Sequence, residues 1–480
     1  MIAHKIPGVQ VSCKEMLLDG VTPIAAYAAL RGLSPGPTFL LESAPGAGEL
    51  ARHSIIGIGA LGELVAASGE VRLSTPAGKS ALAAASILDA ARRLVLECTP
   101  SRGLASFADP SQAALLGAYG IASFELAGYF ERLGHERGAP DCDPDLHLVV
   151  PEHVVVFDHY THTAAIVSLQ ASNGANLQSV SQEALVEQLS SARIGQLLRP
   201  GGAGQLRLRA APSSFTAMVH AAKSAIREGE VFQVVLSQTW QTALEADPFD
   251  VYRRLRSINP SPYMFYLELD GRVLLGSSPE MLCKLAARRA RLRPLAGTRA
   301  RPPLPEQEPA VARQLRRDPK ERAEHIMLVD LGRNDLGRVC DYGSIKLSEL
   351  LAIERYSHVM HLVSEVRGTI RSDCDAFDLF AATFPAGTVS GAPKIRAMQL
   401  IAQLEGKRRG AYGGSVVRFG FDGSLDACIV LRSAEVRDGV ATVSAGAGIV
   451  ADSIAEREDA ECRAKARAVE RALGCMESGS

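Results

Sequence analysis

The clearest rhythm of apolar and polar positions lies beyond residue 212. Met218, Ala222, Ala225 and Ile226 share a helical face after Ser213-Ser214-Phe215, and the pattern stops at Glu228-Gly229. Val231-Phe232-Gln233-Val234-Val235-Leu236-Ser237 then predicts a strand. Asn259-Pro260-Ser261-Pro262-Tyr263 fits no regular element, because each proline removes a backbone donor and restricts the residue before it. Met264 to Leu269 and Val273 to Gly276 predict a hairpin turned at Asp270-Gly271. Pro319 suits the first turn of a helix capped by Asp318 and running on toward Asp335. Thr442 to Val450 predicts a strand broken by Gly446 and Gly448, and Glu456 to Leu473 a long charged helix. The second half is therefore expected to hold antiparallel hairpins with helices packed on them.

The first third predicts short strands mixed with helices. Thr38-Phe39-Leu40-Leu41-Glu42-Ser43 is strand-like, and Glu63 to Leu73 reads as strand, turn, strand. That reading excludes a dinucleotide site at Gly57-Ile58-Gly59-Ala60-Leu61-Gly62, since such a site needs a helix after its turn. Residues 80–97 predict a helix, Ala118 to Glu125 a piece of core, and Val154 to His159 a strand. Residues 170–196 are polar with helical spacing. Arg199-Pro200-Gly201-Gly202-Ala203-Gly204 reads as a linker that divides residues 1–204 from residues 205–480.

Composition narrows the class. The chain has 480 residues, 47% of them hydrophobic and 22% charged, as in an ordinary globular protein. A net charge of −1 gives no basic field for nucleic acid or an anionic membrane, so neither partner is expected. The nine cysteines form no C-x-x-C pair, which argues for a reducing, cytoplasmic setting rather than a disulfide framework or zinc. No signal-peptide core and no apolar run of the roughly 20 residues a membrane helix needs is present.

Candidate chemistry comes from acidic pairs. Glu321 and Glu324 lie three apart on the helix after Pro319, and Glu458 and Glu461 three apart on the last helix. Carboxylates placed side by side repel, and solvent, a base or a metal must compensate them. Four of them from two helices suit a hard divalent cation such as Mg²⁺, which keeps waters and adds oxygens from a substrate. Between these helices stand Gly276-Ser277-Ser278-Pro279-Glu280, Pro294 to Arg299, His358 and His361, and the Gly-rich Ala386 to Lys394 stretch that opens a helix. Free N–H groups at that opening favour an anion. Arg432, Lys465 and the Gly446-Ala447-Gly448 backbone suit a carboxylate-bearing ligand. The residues together point to a Mg²⁺-dependent enzyme acting on a small multi-anionic substrate.

Lys320-Glu321-Arg322-Ala323-Glu324-His325, Val329 to Asp335, His361-Leu362-Val363-Ser364, Thr388 to Lys394 and Gly446-Ala447-Gly448 resemble the chorismate-utilising enzymes over roughly residues 215–475. The likeness is greatest to the anthranilate synthase large subunits of that family. It implies an α+β fold: a large composite domain of antiparallel β-sheets in a sandwich flanked by helices, with the active site in a cleft. It implies Mg²⁺ on Glu324 and Glu461 with Glu321 and Glu458 beside them. Chorismate would contact Gly297, Thr298, Tyr412, Arg432, Gly446, Ala447, Gly448 and Lys465. Glu280 resembles the general acid, with His361 and Thr388 by the reacting ring. The implied reaction joins chorismate and ammonia and releases anthranilate and pyruvate.

Two positions separate this likeness from sister activities. Aminodeoxychorismate synthases place a nucleophilic Lys where this chain has Ala296, and isochorismate and salicylate synthases place a water-activating Lys where it has Gln233. Leu40-Leu41-Glu42-Ser43, Arg52-His53-Ser54 and Asn259 to Met264 resemble the tryptophan feedback pocket of such enzymes, with Ser43, Pro262, Tyr263 and Met264 as effector contacts and Cys428 nearby. His53 replaces the usual aromatic residue. No nucleophile-elbow segment is left over, so a glutamine amidotransferase subunit or free ammonium is expected to supply ammonia. The weighed alternatives are a secondary-pathway anthranilate synthase, the sister synthases, and a non-catalytic tryptophan-binding regulator.

Overall fold

The computed structural model describes residues 8–17, 20–44, 51–83, 87–102, 110–133, 143–172, 180–192, 207–208, 213–355 and 359–475. The linker expected at residues 199–204, and His358, lie outside them.

Two large sheets form the frame, with thirteen and twelve strands among the described residues. Strands from the beginning and end of the chain interleave in both. In the first sheet Thr38–Glu42 pairs antiparallel with Tyr263–Leu269, which pairs with Arg272–Ser278. In the second, Gly117–Ala122 pairs with Ser415–Gly420. One short pairing, between Val9–Leu17 and Pro100–Arg102, is parallel. Fold class thus follows the expectation: α+β, with large antiparallel sheets and flanking helices.

The sheets meet through apolar side chains. Phe39 of the first lies with its ring centroid 4.6 Å from that of Tyr119 of the second, and both are buried. Phe39 also explains a glycine: a Cβ on Gly57 in the neighbouring strand would sit 2.2 Å from its ring. The buried core continues without a break from these residues to Val443, Ala445 and Ala447 near the C-terminus. No helix among the described residues is long and apolar enough to cross a membrane.

Local signals set most helix ends. Asp318 caps Pro319–Gly337 by accepting from the N–H groups of Lys320 and Glu321 at 3.0 and 3.2 Å, with proline in the first turn. Ser214 caps Phe215–Arg227 in the same way through Ala217 N–H at 3.2 Å. The prolines of Asn259 to Pro262 separate the helix Pro248–Ile258 from the strand at Tyr263. Two expectations shift. Residues 80–83 belong to the strand Gly78–Ala83, and the helix spans Ile87–Cys98. Alanine-rich sequence reads as helical, but pairing with Glu70–Thr75 decides for strand. Of residues 170–196, only Gln182–Ser191 is helical among those described.

Replacing Phe39 with Ala should cost about 3–5 kcal/mol of stability, as for other buried aromatic side chains. Denaturant unfolding measures it, and a loss below about 1 kcal/mol would show that this contact does not hold the sheets together.

Candidate active site

The floor of the site is an antiparallel ladder between Gln233–Ala243 and Val440–Ile449. Its register sets Val235 opposite Gly448, Leu236 opposite Ala447 and Ser237 opposite Gly446. Both glycines leave room for polar atoms. A Cβ on Gly446 would lie 2.7 Å from the Leu236 carbonyl oxygen and 2.8 Å from the Tyr412 hydroxyl, and one on Gly448 would lie 2.5 Å from Gln233 Nε2. Lys465, on the helix Ala455–Leu473 that packs on this ladder, donates from Nζ to the Gly446 carbonyl at 2.9 Å and pairs with Glu461 at 2.8 Å.

Glu280 stands just past the strand Arg272–Ser278 and is buried. Burial pushes its carboxyl up to about 8, against the pull of a 2.8 Å hydrogen bond from the Thr388 hydroxyl and the charges of Lys465 and Arg432. A carboxyl in that state holds its proton at neutral pH and can donate it. His361 behaves oppositely. Burial, with Arg432 and Lys465 nearby, lowers it to about 4, so the ring is neutral. Its Nδ1 lies 3.3 Å from the Gly297 carbonyl oxygen. A carbonyl can only accept, so Nδ1 carries the ring proton and Nε2 a lone pair. Gly297 has φ of +70°, and a Cβ there would lie 3.0 Å from Glu321 Oε2. The backbone of Thr298 lies opposite His361 in the next ladder.

The two acidic pairs converge. Burial raises the Glu324 carboxyl; Glu321 and Glu461 add to this, while a 3.0 Å bond from Gln233 Nε2 opposes it. Glu458 is likewise raised by burial and by Glu461, with Lys320 of the other helix opposing. Glu321 is paired with Arg299 at 2.8 Å, and Arg299 also reaches Asp318 at 2.9 Å. Among the described residues no three acidic, histidine or cysteine side chains lie close enough to grip a metal between them. The donor set is carboxylate oxygen from two helices without a closed cage. That chemistry fits Mg²⁺, which is bound through one or two carboxylates plus waters and substrate oxygens.

The proposed effector residues gather at one seam. Ala44 N–H, next to Ser43, donates to the Ser261 carbonyl at 3.0 Å, and Met264 lies opposite Glu42. Pro262 lies between these contacts in the chain. Tyr263 is held by Asp426 at 3.1 Å; burial raises its hydroxyl, with the charges of Asp426 and Cys428 adding to the effect. His53 lies 3.7 Å from Asp158, which Arg52 also binds at 2.6 Å.

Several contacts were not legible from spacing. Arg299 ends the Pro294 to Arg299 stretch, yet nothing in its position shows that it faces Glu321. Gln233 stands out as a subfamily marker, but its bond to Glu324 requires the fold. Glu405 and Arg409, a buried pair behind the Thr388 loop at 2.6 Å, carry no motif at all.

This geometry has known counterparts. The chorismate binding enzyme family matches residues 36–471. This chain belongs to that family. Among the relatives of this chorismate binding enzyme is anthranilate synthase component 1 of Geobacillus stearothermophilus, 40% identical and covering 95% of this chain and 92% of its own. The protein of that name from Thermus thermophilus is 40% identical, covering 97% and 98%. The crystal structure of anthranilate synthase component I from Streptococcus pneumoniae superposes with a TM-score of 0.73 at 33% identity, over 95% of this chain and 98% of that one. The menaquinone-specific isochorismate synthase of Escherichia coli shares the fold, with a TM-score of 0.72 at 21% identity over 98% and 95% of the two chains. The chain is thus an enzyme acting on chorismate.

With Glu280 as proton donor, chorismate turnover should fall as pH rises through about 8, because the donor is the protonated form. Thr388→Val removes a bond that favours the charged carboxylate and should move that limb to higher pH. Rates measured at saturating chorismate and a fixed concentration of the reactive form of the second substrate check both, and an unmoved limb in Thr388→Val would refute the assignment.

Proposed function

We propose that this chain is the catalytic large subunit of a Mg²⁺-dependent anthranilate synthase, a lyase taking chorismate and ammonia to anthranilate, pyruvate and water. The observation that carries the reading is Gln233. Its Nε2 donates to Glu324, and its buried Oε1 has no hydrogen-bond partner among the described residues. An amide cannot take a proton from water, and Ala296 cannot form a covalent bond to the ring. The attacking group must therefore be nucleophilic without a base to activate it, as ammonia is and water is not.

Each step has a residue of this chain to serve it. Arg432 and Lys465 hold the carboxylates of chorismate, with Thr298 and Tyr412 beside them, while Gly446 to Gly448 let the ligand approach the backbone. Ammonia adds at C2 as Glu280 protonates the departing 4-hydroxyl, with Thr388 orienting its carboxyl. Loss of the C2 proton and cleavage of the enolpyruvyl ether then yield the aromatic amine and pyruvate. His361, neutral with a lone pair on Nε2, is the base available to these eliminations. Mg²⁺ held by Glu324 and Glu461, with Glu321 and Glu458 beside them, would neutralise the ring carboxylate and so ease addition at the adjacent carbon.

Ammonia comes from a glutamine amidotransferase partner or from free ammonium, in the cytoplasm, and the reaction is the first committed step of tryptophan biosynthesis. L-Tryptophan binds the seam of Ser43, Pro262, Tyr263 and Met264 and inhibits. The chain divides functionally into residues 1–204, which carry part of the effector site, and the catalytic residues 205–480.

Purified chain with chorismate, Mg²⁺ and ammonium should produce anthranilate fluorescence; isochorismate, salicylate or aminodeoxychorismate as main product, or no turnover, would overturn the reading. Glu324→Gln and Glu461→Gln should each reduce turnover on the order of a hundredfold or more and weaken Mg²⁺ binding followed by calorimetry. Wild-type affinity and rate in both would remove the metal assignment. Ser43→Phe should raise the tryptophan concentration needed for half inhibition at least about tenfold, roughly 1.4 kcal/mol of lost binding, with uninhibited turnover retained. An unchanged inhibition curve would place the effector elsewhere.

A further inference from the structure

Arg409 lies behind the cleft and forms part of no motif tied to the reaction. It is almost fully buried, and every arm of its guanidinium is used. Nε and Nη2 grip Glu405 at 2.9 and 2.6 Å, Nη1 donates to the Val389 carbonyl at 2.7 Å, and Nη2 donates to the Val235 carbonyl at 2.7 Å. The plane sits 4.5 Å over the Phe124 ring and 5.8 Å from that of Tyr412. Glu405 in turn accepts from the Ser237 N–H at 2.7 Å and from its hydroxyl at 3.0 Å.

The three backbone points so fixed all border the chemistry. Val389 follows Thr388, whose hydroxyl binds Glu280 at 2.8 Å. Val235 and Ser237 are the ladder partners of Gly448 and Gly446. Tyr412, beside the guanidinium, is the side chain whose hydroxyl fills the space over Gly446.

We propose that Arg409, held by Glu405, is a positioning residue that sets the Thr388 hydroxyl against the Glu280 carboxyl and aligns the Gly446–Gly448 backbone with it. A planar fork is needed because carbonyls of two separate segments and a carboxylate are bound at once; a lysine ammonium has the charge but not that geometry. The inference rests on Glu280 being the proton donor. The groups acting on Glu280 are Thr388 from the loop, Lys465 from the last helix and Arg432 from the turn before Ser433. Lys465 is also anchored by Glu461 at 2.8 Å and Arg432 by Asn259 Oδ1 at 3.4 Å, contacts outside the fork, so both charges should stay near Glu280 when the fork is lost.

The test compares the wild type with Arg409→Lys, Thr388→Val and the double variant, in pH profiles of anthranilate formation at constant free ammonia. Arg409→Lys should lower kcat on the order of tenfold or more, as small misplacements of reacting groups do. It should also move the alkaline limb upward in the direction of Thr388→Val, and the double variant should shift no further than Thr388→Val alone. A merely structural arginine would lower the melting temperature and scale the rate at every pH, leaving the limb in place; that result overturns the proposal. Glu405→Gln is the second variant if Arg409→Lys does not fold. It loosens the fork but leaves a buried positive charge, which by charge alone would lower the limb. An upward shift therefore supports positioning, and an unmoved or lowered limb overturns it. If Glu280→Gln keeps the wild-type limb, the donor assignment fails instead, a result distinct from either.

Discussion

The site depends on the register of one ladder. Pairing of Gln233–Ala243 with Val440–Ile449 puts the amide of Gln233 over Gly448 and the Tyr412 hydroxyl over Gly446. A slip of one residue would turn every side chain of a strand to the opposite face. A slip of Gln233–Ala243 would take Gln233 from Glu324, and a slip of Val440–Ile449 would take Gly446 and Gly448 from under their polar neighbours. Val234, Val235 and Leu236 are all buried, so both faces of the strand are covered and burial alone does not choose the register; the bonds that lock Ser237 to Glu405 do. Two long strands, distant in sequence, are thereby fixed against one another.

Burial then sets the charges. Glu280 and His361 are both neutral at neutral pH because little water reaches them, although cationic Arg432 and Lys465 lie near both. Desolvation outweighs attraction for the acid, and it adds to repulsion for the imidazole. The four glutamates occupy a different balance. Glu321 and Glu458 stand in the first turns of their helices, where the macrodipole favours negative charge. Burial and mutual repulsion oppose this at Glu324 and Glu458. Helix N-termini thus gather carboxylates that their neighbours alone would disperse, with Arg299 and Lys465 as the counter-charges in place and the proposed Mg²⁺ as a further one.

Much of this is legible in the sequence. The cap at Asp318, the turn at Asp270-Gly271 and the broken Asn259–Pro262 segment follow from local chemistry, and they came out as expected. Ordered motifs also gave the family. What sequence could not give was contact between distant segments: the bond from Gln233 to Glu324 spans 91 residues, and that from Arg409 to Val235 spans 174. The strand at Gly78–Ala83 was missed for a related reason. Its partner, not its alanine content, decides its conformation.

The same long-range pairing offers a route between the proposed effector seam and the acid. Tyr263–Leu269 has Thr38–Glu42 on one edge and Arg272–Ser278 on the other, with Tyr263 opposite Ser278. Ser278 Oγ in turn accepts from the Glu280 N–H at 3.3 Å. Asn259, at the head of the seam, accepts from the Ser277 hydroxyl on its carbonyl, and its side-chain Oδ1 lies 3.4 Å from Arg432 Nη1. A ligand that displaces Pro262 to Met264 therefore acts on the neighbours of both Glu280, the proposed proton donor, and Arg432, the proposed substrate-binding cation. Arg432 is poised for such an effect, since its φ of +48° is a conformation few side chains adopt without support. Coupling of this kind is reciprocal. If tryptophan weakens chorismate binding through Asn259 and Ser277, chorismate must weaken tryptophan binding by the same factor, and both factors should shrink together when either bond is removed.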